Sequence, residues 1–240
     1  MCGRFLLSLI PAQYAGFLRI DHVPILGPGL DAPRMNIAPT QQIVIARCAD
    51  GGRGQRELAA VVWGMLPRWA GSQDAGKRPI INARSETAWE KPLFKDAARN
   101  RRCVIPADGF SEWRQPAERR GRKQPCLIRR TDQAPMFFAG IWSASPRDDD
   151  PAAPAIERCA ILTTTPNQAL APIHDRMPVL LSDVPSLDRW LGPGPVERSD
   201  VADLLRPCPD ADLILEPVED IDDIRRTQKR PDNAASSLFK

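Results

Sequence analysis

The sequence lacks several features that would assign it to a common class. It has no apolar run of the roughly 20 residues that a membrane-spanning helix needs. Its six cysteines are widely spaced and it has only two histidines, which argues against a disulfide framework and a structural zinc site. We expect no secretory leader, because Pro11 follows a short apolar stretch without a cleavage site. We therefore expect a cytoplasmic protein with reduced thiols and no metal.

Proline, by contrast, is abundant. The 240 residues include 25 prolines, about twice the usual share of ~5%, and proline interrupts both helices and central strands. A hydrophobic content of 42% and a charged content of 26% fit an ordinary soluble domain. The composition predicts one domain, or else two small ones, built from many short elements. Residues 227–240 are polar and predict a flexible tail.

Hydrophobic periodicity predicts several strands and a few short helices. Gln42 to Cys48 and Leu58 to Trp63 flank a glycine-rich turn and predict an antiparallel hairpin. Helices are predicted where proline or a capping residue opens an amphipathic stretch. The predicted helices cover residues 11–20, 92–102, 182–191 and 199–205, and further strands cover residues 103–106, 125–130, 136–142, 158–165 and 178–181.

The first residues carry an unusual chemical group. If Met1 is removed, Cys2 holds a free α-amine and a thiol on adjacent carbons, a 1,2-aminothiol. The amine can form a Schiff base with an aldehyde, and the sulfur can then close a five-membered thiazolidine ring. The amine titrates near ~8 and a free thiol near ~8.5, so we expect both to have a reactive fraction at neutral pH. The alternative is a cysteine at residue 2 without any role.

Polar side chains follow two apolar segments where strands are expected to end. Asn82 and Arg84 come directly after an apolar pair, and strand ends commonly deliver site residues. Glu112 stands between Phe110 and Trp113, which predicts a partly desolvated carboxylate with a raised pKa, suited to general acid–base work. A surface glutamate that caps a strand is the alternative.

Other candidates are less specific. His174 lies in a proline-bounded loop beside Arg176, where a structural role is also open. Trp69 is either a core anchor or a stacking platform for bases. Basic residues cluster within 91–102 and 114–130, which indicates solvated faces or a nucleic-acid groove. The net charge of +3 does not decide between them.

Taken in order, these residues resemble the SRAP family, the SOS-response-associated peptidase-like proteins, over roughly residues 2–220. Ser111 departs from the family, which usually has a tyrosine at this position. The absence of that tyrosine would remove a phenol beside Glu112. The matching blocks are Met1-Cys2-Gly3-Arg4-Phe5, Asn36-Ile37-Ala38-Pro39, Trp63-Gly64 with Pro67 and Trp69, Asn82-Ala83-Arg84-Ser85-Glu86, Arg102-Cys103 with Pro106, Gly109-Phe110-Ser111-Glu112-Trp113, Thr163-Thr164 and His174-Asp175-Arg176-Met177-Pro178.

The resemblance implies an α+β, β-rich single domain with a curved, barrel-like, mainly antiparallel sheet flanked by short helices. It implies a monomer that binds single-stranded DNA containing an abasic site, needs no cofactor, and joins the nucleoid when it binds damaged DNA. Cys2 would form a thiazolidine crosslink with the ring-opened sugar and shield it from strand cleavage. Peptidase activity that removes Met1, and lyase-like activity, are also implied.

The resemblance further implies a role for each matching site residue. Glu112 would shuttle protons, Asn82 would orient the sugar or the amine, and His174 would hold the ring-opened hydroxyl or act as a second proton-transfer group. The residues expected to bind DNA are Arg4, Arg84 and Arg176 at phosphates, Pro39 and Trp69 as wedges against flanking bases, and Asn36 beside them.

Two readings from other functional classes stay open. An N-terminal cysteine with a nearby asparagine also describes N-terminal-nucleophile amidohydrolases, in which the α-amine acts as base and an amide helps form the oxyanion hole. A non-covalent single-strand binding module would use the same cleft and tolerate the loss of Cys2. The arginines favour DNA over an amide substrate, because acyl transfer needs no phosphate contacts.

Overall fold

Strands dominate the structure, a computed structural model that describes residues 2–49, 54–67, 78–116, 121–145 and 152–220. The strands are β1 Phe5–Leu7, β2 Arg34–Ile37, β3 Gln42–Cys48, β4 Arg56–Trp63, β5 Asn82–Arg84, β6 Arg102–Ala107, β7 Gly109–Arg114, β8 Gln124–Arg130, β9 Met136–Ser145, β10 Ile156–Thr164, β11 Met177–Pro178 and β12 Leu213–Pro217. The helices are α1 Pro11–Leu18, α2 Lys95–Asn100 and α3 Val184–Trp190, with 3-10 turns at Arg198–Val201 and Asp210–Asp212.

The larger sheet closes on itself. Its strand order is β11-β10-β4-β3-β6-β9, and β9 also pairs with β10, which completes a barrel. The pairings of β10 with β4 and with the short β5 are parallel, and the others in this sheet are antiparallel. The second sheet has the order β12-β8-β7-β1-β2 and is antiparallel throughout. The predicted α+β, β-rich and barrel-like fold is confirmed.

The two sheets share one core because aromatic side chains of both meet inside it. Phe138 of the barrel packs edge-on against Phe5 and Phe110 of the second sheet, with ring centroids 6.1 and 5.9 Å away. Gly140 allows close packing in the barrel interior, since a Cβ there would lie 2.2 Å from Cδ1 of Ile105. The contacts of Phe138 thereby hold the second sheet against the barrel.

A buried carboxylate ties α1 to the corner between β6 and β7. Asp108 accepts hydrogen bonds from the backbone N–H and the hydroxyl of Ser8, both at 2.6 Å, and from the hydroxyl of Tyr14. The helix ends at Arg19, which adopts the left-handed conformation. These bonds fix the short segment between β1 and α1, and with it the direction in which β1 enters the second sheet.

Most predicted elements are present with shifted ends. The hairpin of β3 and β4 is confirmed, and so are α1, α3 and the strands β6, β8, β9 and β10. The helix predicted for residues 92–102 is only α2, because Arg102 enters β6, where its guanidinium donates to backbone carbonyls. The helix predicted for residues 199–205 is wrong, since that segment holds a 3-10 turn followed by further turns.

Five strands, β1, β2, β5, β7 and β12, were not anticipated from the sequence, and the strand predicted for residues 178–181 is only β11. No helix in the described ranges is both long enough and apolar enough to cross a membrane. The single-domain assignment stays a prediction, and the predicted tail at residues 227–240 lies outside the described residues.

Candidate active site

Cys2 lies buried at the seam between the two sheets. It precedes β1, and its backbone carbonyl accepts a hydrogen bond of 3.0 Å from the side-chain amide of Asn82. Arg4 extends the pairing of β1 with β7, because its carbonyl accepts the backbone N–H of Ser111 at 2.9 Å. The start of the chain is therefore held by the barrel on one side and by the second sheet on the other.

Asn82 reaches the seam from the barrel. It opens β5, and its register opposite Ile161 places it on the inner face of β10. The amide nitrogen donates to Cys2, but the amide oxygen is buried and accepts no hydrogen bond from any described residue. A buried polar atom without a partner costs about 1–3 kcal/mol. Such an atom, directed at the first residues of the chain, is available to accept a hydrogen bond from a reacting group.

Glu112 faces the seam from β7. The side chain is 4% exposed, which rules out the surface-cap alternative. Strand alternation puts Glu112 on the face of Phe110, whereas Ser111 and Trp113 lie on the opposite face. The prediction that Glu112 sits between two aromatic rings is thus wrong for Trp113, which packs with Leu6 and Leu127.

The departure at Ser111 also has a different meaning from the expected one. Ser111 pairs with Leu127 on the face that points away from the seam. A tyrosine at this position would extend from the same face, so it could not brace Glu112 from the side. The change from tyrosine to serine therefore alters the buried packing on the other face of the second sheet and not the face that carries Glu112.

The Cys2 thiol is not a ready nucleophile in this setting. Burial raises the pKa of the Cys2 thiol well above its usual value, and the nearby charge of Glu112 raises it further, while a hydrogen bond from the backbone N–H of Arg4 acts in the opposite direction. While Met1 is attached the thiol is therefore protonated at neutral pH, and the reactive fraction predicted for Cys2 freed of Met1 stays a prediction. Any reaction at sulfur needs a group that accepts the thiol proton.

His174 lies in the loop that leads into β11. Its Nδ1 accepts a hydrogen bond of 3.0 Å from the backbone N–H of Arg176 and lies 2.8 Å from a carboxylate oxygen of Asp175. The imidazole is 26% exposed, so it stands at the rim and not in the core. Because β11 and β5 both pair with β10 at Thr163, this loop lies next to the end of β5.

Arg176 anchors the same loop. Its guanidinium forms two hydrogen bonds of 2.8 Å with the carboxylate of Glu86 and also donates to the carbonyl of Thr163. The hydrogen bonds and charge of Arg176 lower the pKa of Glu86. The side chain of Arg176 is only 9% exposed. The phosphate contact predicted for Arg176 stays a prediction, and in this structure a carboxylate already balances its charge.

The other predicted residues spread from the seam to the surface. Arg4 is half-buried and donates a hydrogen bond of 3.0 Å to the side-chain oxygen of Asn36 in β2. Pro39 lies in the turn between β2 and β3, which is held by Thr40 donating to the Trp63 carbonyl. Arg84 is exposed at the end of β5. Trp69 lies outside the described residues.

The structure therefore brings together Cys2, Asn82 and Glu112, with His174 on a neighbouring loop. No cluster of three potential metal ligands occurs in the described parts of the chain. Sequence reasoning missed the supporting role of Glu86, whose partner lies 90 residues further along the chain. Its one sequence signal was a carboxylate that directly follows the Asn82–Arg84 segment.

Comparison with known proteins agrees with this architecture. The chain is 35% identical over 212 residues to the abasic site processing protein YoqW of Bacillus subtilis, covering 88% of this chain and 89% of that relative. It is 34% identical over 185 residues to the abasic site processing protein YedK of Escherichia coli, covering 76% of each. A crystal structure of a Bacteroides thetaiotaomicron protein shares the fold with a TM-score of 0.77 at 22% identity, covering 98% of this chain and 99% of that one. The sequence profile of SOS response associated peptidase (SRAP) matches residues 1–221, and the chain belongs to this family.

Proposed function

We propose that the protein captures abasic sites in single-stranded DNA by forming a thiazolidine between Cys2, freed of Met1, and the ring-opened sugar. The observation that carries the proposal is the placement of Cys2 between a buried carboxylate and a buried amide. Relatives of the chain are named abasic site processing proteins, which supports the same substrate. A ring-opened abasic site presents an aldehyde, the group with which a 1,2-aminothiol reacts.

The first half of the reaction takes place at nitrogen. The α-amine of Cys2 adds to the C1′ aldehyde to give a carbinolamine, which loses water to form a protonated Schiff base. Glu112 takes a proton from the α-ammonium group as the neutral amine adds, passes it to the departing hydroxyl so that water leaves, and is again a carboxylate. The unsatisfied amide oxygen of Asn82 accepts an N–H of the amine and directs its lone pair toward the aldehyde carbon.

The second half takes place at sulfur. The thiol of Cys2 adds to the Schiff-base carbon, an S–C1′ bond forms, and the C=N bond becomes a single bond. Because the pKa of this thiol is raised, its proton must be removed as the bond forms, and the Glu112 carboxylate is the nearby acceptor. One water is released over the two halves and no electrons are transferred. The sequence of events therefore needs no oxidant and no cofactor.

The remaining polar residues would hold the DNA. His174, at the rim, would donate to or accept from the hydroxyl that ring opening creates. Arg4 and Arg84 would contact the phosphates on either side of the lesion, with Asn36 orienting the Arg4 guanidinium. Stacking of flanking bases on Pro39 and Trp69, and a monomeric state, stay predictions.

Intact-mass spectrometry tests the proposal directly. The purified protein is incubated with an oligonucleotide carrying one abasic site, and in parallel with one carrying a tetrahydrofuran analogue that has no aldehyde. We expect a protein mass without Met1 and a covalent adduct only with the abasic oligonucleotide, formed without added reductant. Cys2→Ala abolishes the adduct, whereas Cys48→Ala, which alters a partly exposed cysteine elsewhere, retains it.

Two other outcomes would redirect the assignment. Strong binding of both oligonucleotides without any adduct, unchanged in Cys2→Ala, would identify a non-covalent binding module. If neither binding nor an adduct is observed, the amidohydrolase alternative becomes the favoured assignment. Self-release of Met1 and lyase-like cleavage stay predictions.

A further inference from the structure

Both basic clusters of the sequence contain arginines that the structure already pairs with other groups. In the first, within residues 91–102, each arginine is engaged: Arg99 pairs with Glu197, Arg101 pairs with Asp96, and Arg102 donates to backbone carbonyls. In the second, Arg129 and Arg130 are likewise neutralised by carboxylates. Paired arginines offer little net charge to a polyanion, so these five arginines support the fold.

Three cations of the second cluster differ from these arginines. Arg114, Arg122 and Lys123 are exposed, and none of them forms an ion pair or hydrogen bond with another described residue. They flank the connection between β7 and β8, a hairpin whose strands pair up to Arg114 and Gln124. The sequence adds Arg119 and Arg120 to the same connection. The described part of this hairpin therefore carries three cations without a partner among the described residues.

The hairpin is an extension of the strand that carries Glu112. Arg114 follows Glu112 by two residues, so it lies about 7 Å further along β7 and on the same face of the strand. Exposure rises along this stretch, from the buried Glu112 through the half-buried Trp113 to the exposed Arg114. Arg114 consequently lies on the same face of β7 as Glu112, at the exposed end of the strand.

The base of the hairpin is fixed, so the position of these cations is not arbitrary. The side-chain amide of Gln124 donates to the Val218 carbonyl at 2.6 Å, and the backbone N–H of Val218 donates to the Pro125 carbonyl at 3.0 Å. These bonds join the start of β8 to the chain that leaves β12. A rigid base lets the hairpin present its charges at a constant distance from the seam.

We propose that Arg114, Arg122 and Lys123 form a second DNA contact, which binds backbone phosphates a few nucleotides from the residue held at Cys2. This inference rests on the proposed function for the identity of the polymer. Exposed, unpaired cations recognise phosphates by charge and without sequence preference. The seam then fixes the lesion, and the hairpin adds affinity that depends on the length of the strand.

Equilibrium binding of undamaged single-stranded oligonucleotides tests the hairpin separately from the covalent chemistry. Fluorescence anisotropy is measured at several salt concentrations with strands of about 5 and about 15 nucleotides, a range covering typical single-strand site sizes. The test variant replaces Arg114, Arg122 and Lys123 with Gln. The control replaces Lys91, Lys95 and Arg206 with Gln, which removes three exposed cations located away from the hairpin.

For the longer strand we expect the hairpin variant to lower the slope of log K against log salt by about 2, since each phosphate contact contributes about 0.7. Its preference for the longer strand over the shorter one should shrink toward none. The control should keep the slope and the preference of the unmodified protein. Arg114→Lys should also keep them, because charge and not the guanidinium shape makes the contact.

An unchanged slope in the hairpin variant, or an equal loss in the control, would overturn the inference. So would poly-glutamate competing as well as DNA of equal charge, because the hairpin would then be a site for acidic proteins. Failure of the crosslink in the mass experiment, together with a lowered slope here, would remove the proposed chemistry and leave the hairpin contact standing. Normal crosslinking with an unchanged slope would overturn the hairpin contact and leave the proposed chemistry standing.

Discussion

Replacing Glu86 by Gln should loosen the loop that carries His174. The side chain of Arg176 is 9% exposed and that of Glu86 is 40% exposed. The guanidinium is therefore buried, whereas the carboxylate is partly hydrated. Removing one partner of a buried pair costs about 3–5 kcal/mol, and a hydrogen bond to a charged group contributes about 1.5–3 kcal/mol. For Glu86→Gln, which keeps one acceptor but not the charge, we expect a loss of about 2–3 kcal/mol in the free energy of unfolding.

The sign of the pH dependence follows from the lowered pKa of Glu86. A carboxyl group whose pKa is lower in the folded state contributes its full stability above the unfolded value, here 4.5, and loses it as the pH falls through the folded value. Urea unfolding should therefore separate the wild type and Glu86→Gln at neutral pH, and the difference should vanish in acid. The rate of crosslinking at neutral pH should also fall, because the loop holding His174 is no longer fixed by Arg176.

A matched control is Glu197→Gln, which breaks the exposed pair with Arg99 and should change stability far less. Two results would refute the reasoning about Glu86. One is a Glu86→Gln protein as stable as the wild type at neutral pH. The other is a stability difference that stays constant down to acid pH, since the loss would then have nothing to do with the charge on the carboxylate.

Three further predictions concern the core and the seam. Gly140→Ala should lower the free energy of unfolding in urea by about 1–3 kcal/mol, because the new Cβ would meet Ile105. Adding Ile105→Val should recover part of the loss, and no recovery would contradict this packing. Asp108→Asn should cost about 2–3 kcal/mol through weakened acceptance of its three hydrogen bonds, and an unchanged unfolding midpoint would contradict it. Glu112→Gln should move the pH midpoint for alkylation of Cys2 downward, because a charge that raises the thiol pKa is gone. Crosslinking should slow in the same variant. A midpoint that stays or rises would show that this charge does not act on the thiol.

The residues at the seam were predictable from the sequence because their chemistry is unusual in its local setting. Cys2 was singled out by its place next to the start of the chain, and Asn82 and Glu112 by being polar groups beside apolar residues. The two-residue period of a strand would also have predicted the face on which Ser111 and Trp113 lie. Reading neighbours in sequence as neighbours in space gave the wrong surroundings for Glu112.

Other features could not be read from local sequence. Strands β1, β2 and β5 have three or four residues each, too few for a period to emerge, and they exist because longer strands pair with them. β12 lies in an acidic segment whose strand character comes from pairing with β8, where Glu216 also binds Arg129. The pairing of Glu86 with Arg176 joins residues 90 positions apart, and nothing near either residue indicates the other.

The parallel pairing of β5 with β10 has a consequence for how the protein is made. Asn82 is positioned by Ile161, about 80 residues later in the chain. At a synthesis rate of ~5–20 residues per second, Asn82 leaves the ribosome about 4–16 s before the strand that positions it. During that interval the aminothiol and its partners are separate segments of an unfinished chain. The site that holds Cys2 between Asn82 and Glu112 is thus assembled only after β10 has been synthesised.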